Sequence, residues 1–208
     1  MDYLDKLKKR YSPKKFDGEM VPDEAVERIL EAARLSVSSM GLQPYKIFIA
    51  KNKQSKEKLF PAFYNLSQIS TCSHMLMLVA KKEVEESYVD GYLRHIKAVR
   101  GTDMADLQAF RNSILGYLSQ LTSQQLSAWS ARQAYIALSS MIFAAALERV
   151  DSCPMEGFRQ DVMDHLLGIN PDEESTVVCL AIGYHADDDP FRHNKKVRKP
   201  SEKFAKYL

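Results

Sequence analysis

The stretch SARQAYIALSSMIFAAALERVDSCPMEGF, residues 130–158, decides the fold. It begins inside a helical pattern over 127–149 that is apolar almost all round, with Ala131, Ala134, Ala137, Ser139, Ser140, Ala144 and Ala145 supplying small surfaces. A helix without a polar face has to be covered on every side. Two arrangements do this: a central position within one chain, or a second copy across a two-fold axis, the commonest closed assembly. The chain then passes through Cys153-Pro154 and presents Met155, Glu156 and Gly157. A turn here offers three chemistries: a reactive thiol, a carboxylate acid or base, or main-chain N–H groups. Proline would fix the backbone for the last of these, and glycine would let it come close to a ligand.

On either side of this stretch, YKIFIAK (45–51), HMLMLVAK (74–81) and TVVCLAIGYH (176–185) read as strands apolar enough to be buried on both faces. A helix starts at Pro22-Asp23, with acids in its first turn and Val26, Ile29, Leu30 and Ala33 on one face. Further helical patterns cover the first nine residues, 53–70, 84–99, 103–120 and 158–167. The class is therefore α+β or α/β. Three strands make a small sheet for 208 residues. Either weaker strands escape the pattern or another polypeptide completes the sheet.

The net charge of +2 argues against a general nucleic-acid or membrane-surface role. The basic run HNKKVRKP lacks the interleaved aromatics of a single-strand binder. No apolar run reads as a membrane span, and the charged start MDYLDKLKKRYS has no signal-peptide pattern. Three scattered cysteines make no disulfide framework, which fits a reducing, cytoplasmic setting. The five histidines are dispersed without metal-ligand spacing, so no metal site is expected.

None of the eight glycines falls into a phosphate-binding loop pattern. Side chains would have to hold any phosphate. Arg10, Ser12 and Lys14 alternate in KKRYSPKKF, and Lys196 and Arg198 alternate in HNKKVRKP. In extended segments alternation puts each set on one face, where guanidinium, ammonium and hydroxyl make an anion clamp. The read-through alternative for each is a solvated basic loop. Asn65 and Gln68, three apart, would share a helix face and read the polar edge of a planar heterocycle.

Taken in order, RYSPKKF, SSMGLQPYKIF, NLSQIS with SHMLMLVAK, the 129–158 stretch, AIGYH and KKVRKP resemble the nitroreductase family of FMN-dependent NAD(P)H oxidoreductases. The resemblance runs nearly end to end and is weakest over residues 84–125. It implies an α+β fold of three layers, α/β/α, with a mixed central sheet, in an intertwined homodimer. One FMN-binding domain would occupy 1–208, with 186–208 an arm extending over the partner and adding a strand to its sheet.

By the same resemblance, Arg10, Tyr11, Ser12, Lys196 and Arg198 hold the phosphate and ribityl chain. Lys14 lies near the N1/O2 edge, where positive charge stabilises reduced flavin. Asn65 and Gln68 face the pyrimidine edge; Gln68 stands where some relatives have lysine. Val37, Ser38, Ser39, Gly41 and Gln133 come from the other subunit, although asparagine is common near Gly41 in relatives. Pro154, Met155, Glu156 and Gly157 pack on the flavin with backbone N–H groups at N5 and O4. NADH or NADPH would donate hydride in a ping-pong reaction with a nitroaromatic, quinone or related electrophile. No side chain is required as acid or base for hydride transfer; Lys14, Glu156 and the Gly157 backbone tune it. Ile114, Leu115 and Tyr117 would cap the slot. Alternatives are a non-catalytic flavin-binding protein, or the same fold with a different flavin reaction.

Overall fold

The computed structural model describes residues 3–207; residues 1, 2 and 208 of the expected 1–208 domain lie outside it. In chain order the elements are α1 (Tyr3–Lys9), α2 (Asp23–Arg34), β1 (Tyr45–Ala50), α3 (Lys53–Leu59), α4 (Ser67–Thr71), β2 (His74–Lys81) and α5 (Glu86–Arg100). Then follow α6 (Gln108–Leu118), α7 (Ser123–Leu147), β3 (Asp151–Met155), α8 (Gln160–Leu167), β4 (Glu174–Gly183) and α9 (Ser201–Phe204). The sheet order is β1-β2-β4-β3, and all three pairings are antiparallel. The α+β class is as expected, but the sheet of one chain is not mixed. No crossover within the chain returns a strand in parallel register among the described residues.

Strands β2 and β4 form the centre. Side chains alternate across a strand, and here both faces are covered. Leu76, Leu78 and Ala80 with Val178, Leu180 and Ile182 meet α2 through Val26, Ile29 and Ala33, and α7 through Ala134, Ala137, Leu138, Met141 and Ala145. On the opposite face Met75, Met77, Cys179 and Ala181 meet Leu59, Phe63, Ile69 and Met163 from α3, α4 and α8 and the connections beside them. These are the three layers. β1, read as doubly buried, is an edge strand with Ile49 exposed.

The strand missed by periodicity is β3. It runs through the expected Cys153-Pro154 turn, pairing Cys153 with Ala181 and Met155 with Cys179. Five residues containing aspartate, serine and proline give no recognisable alternation. Proline lacks an N–H and is accepted because β3 is an edge. Pro61 divides the expected 53–70 helix, ending α3 in a single 3-10 turn before α4. Helix α6 is shorter than the 103–120 pattern because residues 104–107 form turns.

Helix α7 starts earlier than its apolar pattern, at a capping box in which Thr122 Oγ1 accepts the Gln125 N–H and Gln125 Oε1 accepts the Thr122 N–H. One chain does not cover it on every side: Tyr135, Ile136, Phe143 and Leu147 remain exposed. A third apolar cluster packs α5 and α6 against its first turns, through Val89, Leu93, Ile96, Ile114, Leu118 and Trp129.

The end of α7 carries a strained residue. The Val150 N–H donates to Ala145 O at 2.9 Å, and Arg149 between them adopts φ +61°. This is the left-handed position that glycine usually fills. A side chain there costs about 1–2 kcal/mol, of which glycine's extra freedom in the unfolded chain would return part. Arg149→Gly is therefore expected to stabilise the protein by about 0.5–1 kcal/mol, read as a higher urea midpoint at unchanged m-value.

Candidate functional site

After α1 the chain leaves the helix and carries Arg10, Tyr11, Ser12 and Lys14 along one wall of a cleft of about 390 Å³. The opposite wall is the C-terminal arm, with Phe191, Lys196 and Arg198. The arm is tied down there: Lys196 Nζ donates to Leu7 O at 2.8 Å and also to Arg10 O. Arg10 is half-buried, and its Nη1 reaches Tyr11 O at 2.9 Å, Ser152 O at 3.4 Å and Ser12 Oγ at 3.5 Å. Burial lowers its pKa, and Arg198 lowers it further. Lys196 is lowered by burial too, then by Arg10 and Arg198. Three cations thus converge, with Arg198 disfavouring the charge on Arg10 and both disfavouring that on Lys196, and Asp151, the carboxylate acting on Arg10, is engaged with His185 Nδ1 at 2.7 Å. An anion entering the cleft would relieve this repulsion. Tyr11 contributes a phenol pushed up to about 12, first by burial, and its buried hydroxyl has no partner among the described residues.

Deeper in, Lys14 and Gln68 meet over Cys153. Lys14 Nζ and Gln68 Nε2 each lie 4.0 Å from its sulfur. Gln68 is buried on α4, and its Oε1 is an acceptor with no hydrogen-bond partner among the described residues. A buried unpaired carbonyl of this kind is costly unless a ligand donor reaches it. Asn65 does not share its helix face: it precedes α4, exposed, where its Oδ1 accepts the Ser67 N–H at 2.9 Å. Cys153 has cationic neighbours after all, but burial outweighs Lys14, Gln68, Ser12 and Arg10 and leaves its pKa raised. The thiol stays protonated, which disfavours a nucleophilic role.

Asp189 is the residue that sequence reasoning missed. It is only 3% exposed and accepts three backbone N–H groups: Lys14 at 2.7 Å, Lys15 at 3.1 Å and Phe191 at 2.7 Å. Ser67 Oγ holds the Lys14 carbonyl at 2.5 Å from the other side. In the sequence Asp189 is one of three consecutive aspartates in a charged tail, and only the proline after it hints at a turn. This carboxylate joins the arm to the backbone of the basic loop, beside the Lys15–Asp188 ion pair and the Lys196 bonds to Leu7 O and Arg10 O.

The residues after β3 form the next wall. Pro154 is exposed and Met155 is buried. Tyr135 from α7 donates its hydroxyl to Glu156 Oε1 at 2.5 Å, and its pKa is raised by burial and by that bond. The Gly157 carbonyl accepts the Tyr64 N–H at 3.3 Å. Neither the Glu156 nor the Gly157 N–H donates a hydrogen bond among the described residues. A Cβ added at Gly157 would meet nothing within 4 Å, so the fold of one chain does not require glycine here.

A second group lies apart. The Ser39 N–H donates to Gln133 Oε1 at 2.8 Å, while Gln133 Nε2 donates to Trp129 O at 2.9 Å. Ser38 Oγ accepts the Gln43 N–H at 3.0 Å; Val37 is exposed, and Gly41 turns the chain at φ +74°. No hydrogen bond or ion pair joins Val37, Ser38, Ser39, Gly41 and Gln133 to the Arg10–Lys14 group among the described residues. Within one chain the two groups therefore stay apart. Of the expected cap residues, Ile114 is fully buried in the α5–α6 core and cannot line a slot; Tyr117 is exposed, its ring tilted against Trp129 with centroids 6.3 Å apart.

Comparison with known proteins gives consistent matches. The sequence profile of the Nitroreductase family matches residues 7–184. A Staphylococcus haemolyticus protein bearing the provisional name NAD(P)H nitroreductase is 32% identical over 96% of this chain and 94% of its own length. Among solved structures, a provisionally named NAD(P)H:FMN oxidoreductase of Staphylococcus epidermidis superposes with TM-score 0.88 at 22% identity, covering 100% of this chain and 96% of that one. A provisionally named nitroreductase of Exiguobacterium sibiricum, solved in complex with FMN, gives 0.85 at 20% identity, covering 100% and 98%.

Proposed function

The chain belongs to the nitroreductase family, and from that premise we propose that it is an FMN-dependent NAD(P)H oxidoreductase acting on nitroaromatic, quinone or related electrophilic acceptors. The observation that carries this reading is the cationic cleft lined by Arg10, Lys14, Lys196 and Arg198, with the unpaired Gln68 acceptor sharing Cys153 with Lys14. The donor set fits the cofactor: cations for a phosphate, a buried amide acceptor for an imide N–H, and a lysine for the electron-rich edge of a reduced flavin. FMN, when bound, would take hydride from NADH or NADPH and pass it to the acceptor in a ping-pong sequence. The chain's part is to bind, orient and exclude water. Arg10, Tyr11, Ser12, Lys196 and Arg198 would hold the phosphate end, Gln68 the pyrimidine edge, and Lys14 the O2 side. The Glu156 and Gly157 N–H groups, free of partners within the chain, would serve the flavin face.

The two half-sites and the exposed apolar stripe of α7 favour a homodimer, in which Val37, Ser38, Ser39, Gly41 and Gln133 of one copy complete the site of the other. No helix among the described residues is long and apolar enough to cross a membrane.

The test is direct. Purified protein mixed with FMN should retain about one flavin per subunit, as a simple one-site pocket requires. Anaerobic NADH or NADPH should bleach it, and a quinone should restore the colour. Protein that takes up no FMN, or whose bound FMN neither nicotinamide reduces, would sink the reading. Gly157→Val adds a sharper check. It should fold with a melting temperature close to wild type, because a Cβ added there meets nothing within 4 Å in the chain. FMN affinity should nevertheless fall about tenfold or more, as expected for a side chain intruding between backbone and ligand.

A further inference from the structure

Helix α5 presents Tyr88 and Tyr92 one turn apart, so both lie on the same face. Both reach the connection between α2 and β1 that carries Ser38, Ser39 and Gly41, but they end differently. The Tyr88 hydroxyl is spent on the backbone, 2.9 Å from Leu42 O and 2.8 Å from Gln43 O. The Tyr92 hydroxyl has no hydrogen-bond partner among the described residues, although the residue is half-buried and packs against the apolar cluster of α5 and α6. It lies against Gly41: a Cβ built there would overlap the Tyr92 oxygen and fall 3.2 Å from Cζ. Gly41 therefore does two things. It adopts the left-handed backbone at φ +74°, and it leaves room for a phenol at the rim of the half-site.

A fixed hydroxyl with its proton unspent, beside exposed backbone, is a recognition group awaiting an acceptor atom. We propose that Tyr92 is a specificity-determining residue whose hydroxyl donates a hydrogen bond to the oxygen of the electron acceptor, a quinone carbonyl or a nitro oxygen, seated against Gly41. This rests on the assignment of residues 37–41 to the flavin pocket. Reduction of such acceptors builds negative charge on that oxygen, and a preplaced donor favours the charged form more than the neutral one. Tyr88 cannot serve, because its hydroxyl holds the loop.

The experiment compares wild type and Tyr92→Phe, both loaded with FMN. Removing one hydrogen bond to a developing charge should lower kcat/KM about tenfold for 1,4-benzoquinone and for nitrobenzene. Ferricyanide, which needs no oxygen contact, should be reduced at the wild-type rate, and anaerobic bleaching by NAD(P)H should be unchanged. Binding of acetophenone to the oxidised protein, followed by the flavin difference spectrum, should weaken by a similar factor. Wild-type values for quinone, nitrobenzene and acetophenone in the variant would overturn the role of Tyr92 while leaving the flavin reading intact. An equal fall with every acceptor, ferricyanide included, would overturn it as well, since it would mark a general structural effect. A wild type that takes up no FMN would overturn both.

Discussion

Asp189→Ala should destabilise the protein by about 3–5 kcal/mol, because it strips the acceptor from three backbone N–H groups at a nearly dry position. Urea unfolding followed by far-UV circular dichroism measures this directly. The loss should reach beyond stability. Lys14 owes its position to the carboxylate on its N–H side and to Ser67 on its carbonyl side. With the carboxylate gone, the backbone of Lys14 and Lys15 loosens against the arm, which Lys196 and Asp188 still hold, and the cleft between them loses its fixed shape. FMN retention should therefore fall together with stability. Asp189→Asn keeps one acceptor oxygen but turns an NH2 group toward backbone donors, and it should lie between the two. A variant within about 1 kcal/mol of wild type would show that the three bonds are exchanged for water without cost.

Arg10→Ala has the opposite signature on the free protein. Arg10 is half-buried and faces Arg198 and Lys196, so the fold disfavours its charge. Removing it relieves repulsion while losing bonds to Tyr11 O and Ser152 O. The free protein should melt at, or slightly above, the wild-type temperature. With FMN the order reverses: the dissociation constant should rise about 100-fold, equivalent to about 2.7 kcal/mol, for a charge-assisted contact with phosphate. Fluorescence titration of FMN and melting curves with and without it give both numbers. A large loss of stability without FMN, or unchanged FMN affinity, would refute the phosphate clamp.

The parts of this fold that could be read from sequence were those where one physical rule acts alone. β2 and β4 are buried on both faces, so unbroken apolar runs marked them. Arg10 lies far in sequence from Lys196 and Arg198, yet both basic clusters were visible as alternating runs, and the fold brings them to one cleft. β3 was hidden because its pairing with β4, not its composition, makes it a strand. Asp189 was hidden because three adjacent aspartates look alike until the chain decides which one is buried. Tyr88 and Tyr92 look equivalent for a similar reason; only the carbonyls of Leu42 and Gln43 distinguish them. The wholly apolar look of α7 reads as a demand for cover, and one chain meets only part of that demand, leaving Tyr135, Ile136, Phe143 and Leu147 exposed.

The two rims of the sheet are unlike, and that inequality governs how copies can meet. β3 holds only five residues, and Pro154 withholds a donor and sets its ring in solvent. A strand arriving there finds a broken ladder. β1 offers six consecutive residues with no proline. Extension is therefore open on one flank and blocked on the other, so copies cannot stack rim to rim into a growing ribbon. An open ribbon needs two usable rims, and this sheet has one.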